Sequence, residues 1–274
     1  MSTDSSTSNE EIKAGNRYAF GENWARYLRI IDEDKINQAA ESLSVMLELE
    51  TLSGKTFLDI GSGSGLFSLA AKRLGARVFS FDYDLQSVAC TRELKRRYFD
   101  NANDWTIESG SVLDKDYIER LGKFDIVYSW GVLHHTGNLW LALDNVGRCV
   151  GDGGKLFVAL YNYQPVASKY WTWAKQTFNK YKLSRPFFIM IHAIYPALPS
   201  VILRLLQNRK CCRGMSSWYD LLDWLGGYPF EVSKPEDVFN FYISKGYHLR
   251  KLKTVGGRFG CNEYVFERKI CSAN

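Results

Sequence analysis

The chain has 274 residues, 46% of them apolar and 24% charged, with a mean hydropathy of −0.25, so it can bury one large core, and the disordered, collagen-like and multi-span membrane classes are excluded. The net charge of +5 hides a division: residues 1–163 carry 18 basic against 23 acidic side chains, residues 164–274 carry 17 against 7. Six cysteines without a C-x-x-C spacing suit a reducing, cytoplasmic compartment.

The first fifteen residues are polar and acidic, lack the basic-then-apolar order of a secretory leader, and are expected to form a disordered tail. Residues 16–54, with ENWARYLRIIDEDKINQAAESLSVMLEL, predict a cap of one or two amphipathic helices. From Lys55 the pattern alternates. KTFLDI, RVFSFD, WTIES, FDIVYSW and GKLFVALYN read as strands, and GLFSLAAKRLGA, LQSVACTRELKRRYF, KDYIERLG and NLWLALDNVGRCV as the helices between them. Near-continuous apolar strands alternating with helices over 55–162 predict a parallel sheet covered on both faces and wound right-handedly.

The regularity breaks over 163–232, rich in Trp, Pro and Lys, which is expected to be a helical insertion after the fifth strand. It returns in SKPEDVFNFYISKGY, where Ser233 and Glu236 have capping-box spacing and Pro235 falls in the first turn. HLRKLKTV and NEYVFERK, joined by GGRFGC, are close enough in sequence to pair antiparallel. The expected fold is α/β: one domain over 16–274, a Rossmann-like doubly wound seven-stranded sheet with the last strand antiparallel, an N-terminal helical cap and a helical insertion between strands five and six.

Chemistry concentrates at the strand ends. Asp59-Ile60-Gly61-Ser62-Gly63-Ser64-Gly65 joins the first strand to the first helix of the alternation. Glycines there let the chain turn tightly and a ligand approach the main chain at a helix N-terminus. Dinucleotide binders place glycine at the first, third and sixth positions; here the sixth is Leu66, which points away from a pyrophosphate ligand. Asp82 ends the second strand, where a carboxylate can accept both ribose hydroxyls of an adenosine, and Asp84 is a substitute two residues on. His134 and His135 follow the fourth strand, at the carboxyl edge where doubly wound folds bind ligands. Either suits a base at neutral pH, or a loop-fixing bond to backbone.

LDIGSGSG, the acid in FSFDYD, the GSV after the third strand, FDIVYSWGVLHH and GDGGKLFVALYN together resemble, in order and spacing, the motifs of the class I S-adenosylmethionine-dependent methyltransferases. The resemblance covers residues 55–162 and the terminal strand pair. It is nearest to the small-molecule branch typified by ubiquinone-biosynthesis O-methyltransferases and sugar or polysaccharide methyltransferases. It implies S-adenosylmethionine as cofactor, with Asp59, Gly61, Ser62, Gly63 and Gly65 around its methionine part and Asp82 on the ribose. Tyr83 would lie against the adenine and Trp130 beside the methyl donor. Ser111 and Val112 fall where the family usually places an acid for the adenine amino group, a departure from the pattern.

The expected reaction is methyl transfer to a small-molecule, glycan or lipid-linked acceptor, with a hydroxyl oxygen favoured. An RNA-directed methyltransferase and a non-catalytic cofactor-binding module are the alternatives. Nucleic acid is disfavoured because no RNA-binding module accompanies the core. No His/Cys pair has metal-ligand spacing. Trp218, Tyr219 and Asp220, with Asp223 and Trp224, suit a lid over a polar ring, or simply an amphipathic helix. Between Gln164 and Tyr219 there are nine basic residues and no acid, and 186–203 holds eighteen residues without a charge. Pro196 and Pro199 argue against a membrane span. An internal lid and a peripheral contact with an anionic membrane both remain.

Overall fold

The computed structural model describes residues 10–192 and 224–270. Two helices come first, α1 (Phe20–Tyr27) and α2 (Glu33–Leu47), divided where Asp32 takes the Lys35 amide to cap α2. Then follow β1 (Thr56–Ile60), α3 (Leu66–Arg73), β2 (Arg77–Asp82), α4 (Leu85–Phe99), β3 (Trp105–Ser109), α5 (Lys115–Leu121) and β4 (Phe124–Trp130). After a 3-10 turn at Leu133–His135 come α6 (Leu139–Arg148), β5 (Val150–Tyr161) and α7 (Ala167–Lys180), and after the insertion α8 (Pro235–Ser244), β6 (Tyr247–Lys253) and β7 (Cys261–Arg268).

The seven strands lie in the order β3-β2-β1-β4-β5-β7-β6. β1 to β5 are parallel, and β7 pairs antiparallel with both β5 and β6. Alternate side chains feed the two faces, as a pleated strand requires. Phe57, Tyr128, Phe157 and Val265 pack under α2, α3 and α4, while Leu58, Val127, Leu156 and Phe266 pack under α5, α6 and α8. Each such fully buried side chain contributes roughly 1.5–3 kcal/mol. The chain order reverses between β1 and β4, so a crevice opens beyond their carboxyl ends.

The strands and helices predicted within the described residues form, with three local differences. Residues 10–13 make a helical turn inside the stretch expected to be disordered, and Arg17 Nε donates to Glu11 at 2.7 Å. β5 begins at Val150, four residues early, because Val150 pairs with Phe124 before the register shifts to Lys155 opposite Ile126. That pairing ends α6 at Arg148. Ser233 does not cap α8: the cap position is Lys234, and Ser233 instead bridges Asn162 beside the end of β5 with its hydroxyl buried and unpartnered. The insertion's described part is helical, as expected, over α7 and again over 185–192.

Candidate functional site

The turn after β1 is shaped by backbone conformations that L side chains resist. Gly61 has φ +77° and Gly63 φ +55°. A Cβ on Gly61 would lie 2.4 Å from Val132 Cγ1, and one on Gly63 would lie 2.9 Å from the Trp24 ring of α1. The Gly61 and Ser62 amides both donate to the Phe81 carbonyl, locking the turn to β2. Gly65 caps α3 from the far side of the turn.

Two carboxyls sit beneath and beside this turn. Asp59 is 2% exposed and takes the Ser68 hydroxyl at 2.5 Å. Since Ser68 spends its proton there, Ser80 donates to Ser68 at 2.7 Å and Trp105 Nε1 donates to Ser80 at 2.9 Å, a buried chain of donors ending on the carboxylate. Burial pushes Asp59 up to about 7 against the Ser68 bond, and the Asp82 charge adds to the rise. Asp82 accepts the Gly63 amide through Oδ2 and the Asp84 amide through Oδ1, both at 2.9 Å. Burial raises it to about 6, opposed by those two amides. A carboxylate oxygen takes two bonds, so each Asp82 oxygen keeps one lone pair. Asp84 is committed elsewhere: Oδ1 caps α4 through the Gln86 amide and Oδ2 takes the Gly21 amide at 2.7 Å, tying down the cap.

The two buried histidines differ in their hydrogen bonds. His134 is fully buried, its ring 3.8 Å from that of Tyr161. Its Nδ1 accepts the Tyr161 amide, so Nε2 carries the proton, and that Nε2 has no partner. Burial, then the charges of His135 and Lys175, holds it well below the usual imidazole range. His135 Nδ1 meets the Pro229 carbonyl at 2.6 Å; a carbonyl only accepts, so Nδ1 is protonated and Nε2 bears the lone pair. Burial lowers His135 to about 3, so it is neutral.

A single cavity of about 500 Å³ joins these parts, within the range of small-ligand sites. Of the residues predicted from sequence, Asp59, Gly61, Ser62, Gly63, Asp82, Tyr83, Ser111, Val112, Trp130 and His135 line it. Gly65 and His134 do not. Of the two readings open for His134, its geometry matches the bond to backbone: its only lone pair accepts the Tyr161 amide and its ring faces Tyr161. Trp218, Tyr219 and Asp220 lie outside the described residues.

The sequence reading missed Arg17, Phe20 and Trp24 from the cap, Lys35 and Gln38 from α2, and Lys253 and Glu263 from the β6–β7 edge, all of which line the cavity. The Arg17 guanidinium lies 4.7 Å from the centre of the Tyr83 ring and donates to the His135 carbonyl at 3.1 Å. Among the described residues no group of three His, Cys, Asp or Glu side chains could hold a metal ion.

Residues 27–189, more than half of the chain, match the family described as a methyltransferase domain. The chain belongs to that family, the class I S-adenosylmethionine-dependent methyltransferases. It is 32% identical over 118 residues to the ubiquinone biosynthesis O-methyltransferase of Xanthomonas oryzae pv. oryzae, covering 42% of this chain and 47% of that one. It is also 32% identical over 120 residues to the ribosomal protein L11 methyltransferase of Prochlorococcus marinus, 43% and 39% of the two chains. The match thus spans less than half the length of either relative. The fold is shared with the magnesium protoporphyrin IX methyltransferase of Synechocystis crystallised with S-adenosylhomocysteine (SAH), at TM-score 0.57 and 14% identity over 95% of this chain and 100% of that one.

Proposed function

We propose that this protein transfers the methyl group of S-adenosylmethionine to a hydroxyl oxygen of a small-molecule acceptor. The observation that carries the reading is one cavity bringing together a glycine turn, a carboxylate with spare lone pairs, and a neutral histidine with a bare Nε2. The residues fit the cofactor. Asp82 has one lone pair left on each oxygen for the two ribose hydroxyls, the Tyr83 ring and the Ser111–Val112 segment suit the adenine, and the Gly61–Gly63 turn, which lines the cavity, suits the methionine part. Trp130 walls the passage toward His135.

When bound, S-adenosylmethionine supplies a methyl carbon activated by its positive sulfur. This chain's residues must then align the acceptor oxygen and take its proton. His135 Nε2 is the acceptor for that proton, and its Nδ1–H bond to Pro229 fixes the ring and steadies the imidazolium that forms. A low ordinary basicity suffices, because the hydroxyl proton becomes strongly acidic as the carbon–oxygen bond forms. The name of the ubiquinone biosynthesis relative supports a small-molecule hydroxyl; sugar and lipid-linked hydroxyls belong to the same reading.

Titration calorimetry with SAH tests the cofactor half, and binding of NAD in its place overturns it. An acceptor screen over phenols, quinols, sugars, lipid-linked glycans and tRNA, read by mass for a gain of one CH2, tests the rest.

A further inference from the structure

The insertion carries a surface feature that the cavity does not use. α7 and residues 185–192 pack together around a small core of their own, Ala174, Phe178, Phe188 and Leu225. Phe188 stacks on His192, whose Nε2 meets the Tyr170 hydroxyl at 2.9 Å. With its inner side filled, such a helix pair ordinarily turns polar side chains outward. Here Leu183 is 98% exposed, Phe187 58%, Trp173 56% and Met190 55%. Leu183, Phe187 and Met190 recur at three-to-four spacing and share one face. Trp173 extends it, lying 5.7 Å from Phe188, which is 6.1 Å from Phe187.

Lys169, Lys180, Lys182 and Arg185 border this face, and none has an acidic partner among the described residues. We propose that this face docks on an anionic lipid surface, its aromatic and aliphatic side chains entering the interface while the lysines and Arg185 meet headgroup phosphates. The charge selects the occupant. A second copy would bring the same basic rim against itself, and the chain from 193 to 219 adds four more basic residues and no acid. An anionic surface meets both the apolar stripe and its rim. No helix among the described residues is long and apolar enough to cross a membrane, and the contact proposed is a peripheral one. It is independent of the reaction proposed above.

Co-flotation of the full chain with vesicles of phosphatidylcholine plus phosphatidylglycerol, against phosphatidylcholine alone, tests this. The chain should float with the anionic vesicles only. The double substitution Leu183→Ser, Phe187→Ser should reduce the bound fraction by roughly tenfold or more without lowering the melting temperature, since both side chains face solvent. Lys180→Glu with Lys182→Glu should do the same through charge alone. The proposal is overturned if the wild-type chain stays at the bottom, if either double variant floats like the wild type, or if light scattering shows a dimer that Leu183→Ser, Phe187→Ser dissociates.

Discussion

The two ends of the cavity are built from different kinds of chain. At the glycine turn most of the hydrogen bonds come from short range: Asp59 to Asp84 is one strand, one turn, one helix and one strand, and its own amides bond Phe81 and Asp82, while the cap adds the Gly21 amide on Asp84. At the histidine end the parts come from three distant stretches. Arg17 reaches the His135 carbonyl, His135 reaches Pro229, and Glu231 takes the Gly137 and Leu139 amides at 3.0 and 3.1 Å. The first end is a local motif that can be read in one pass. The second exists only once the cap, the loop after β4 and the end of the insertion have met.

If that division is right, substitutions should separate along it, and the largest effect should come from the assembled end. His135→Ala is expected to cut methyl transfer by about 100-fold or more while leaving SAH affinity near wild type. His134→Ala, which removes a buried ring without touching the cavity, should instead lower stability by about 2–4 kcal/mol, read as a drop in melting temperature. Equal loss of turnover at unchanged stability in both variants would erase the distinction drawn between them.

At the local end, Asp82→Ala should weaken SAH binding by about 1.5–3 kcal/mol in calorimetry. Asp84→Ala should cost about 1 kcal/mol of stability, because it uncaps α4 and frees Gly21. A binding loss confined to Asp84→Ala would move the ribose contact there.

The pH dependence sharpens the same point. Ribose hydroxyls favour the ionised form of Asp82, whose carboxyl is raised to about 6. SAH affinity should therefore be flat above pH 6 and fall by up to about tenfold per unit below it. Unfolding does not account for such a fall. A carboxyl raised in the folded state binds more protons folded than unfolded, so Asp82 and Asp59 add stability as pH drops from about 6 and 7 toward 4. An affinity unchanged between pH 5 and 7 would show that Asp82 does not carry the contact. The smallest effect expected is Glu231→Ala, about 0.5 kcal/mol of stability from the lost amides at the start of α6.

Legibility followed the same line. The alternation from Lys55 to Asn162 located every strand of the parallel sheet, since a buried parallel strand must be apolar throughout, and the glycine turn announced itself through spacing. Asp82 was legible because a strand end fixes where it points. Its competition with Asp84 was not, because the Gly21 amide that claims Asp84 lies 63 residues away. Nor could the adjacent histidines be told apart: their difference lies in the backbone groups they meet, the Tyr161 amide for His134 and the Pro229 carbonyl for His135, both distant in sequence. Ser233 misled for a related reason, since its spacing suited a cap while its backbone was drawn into the bridge with Asn162.

Arg17 joins the two ends of the cavity in one side chain. It holds Glu11, lies on Tyr83 and grips the His135 carbonyl, so the Tyr83 wall and the histidine loop share one clasp. A change at Arg17 is therefore felt at both walls together, and neither wall can be reshaped through this residue without disturbing the other.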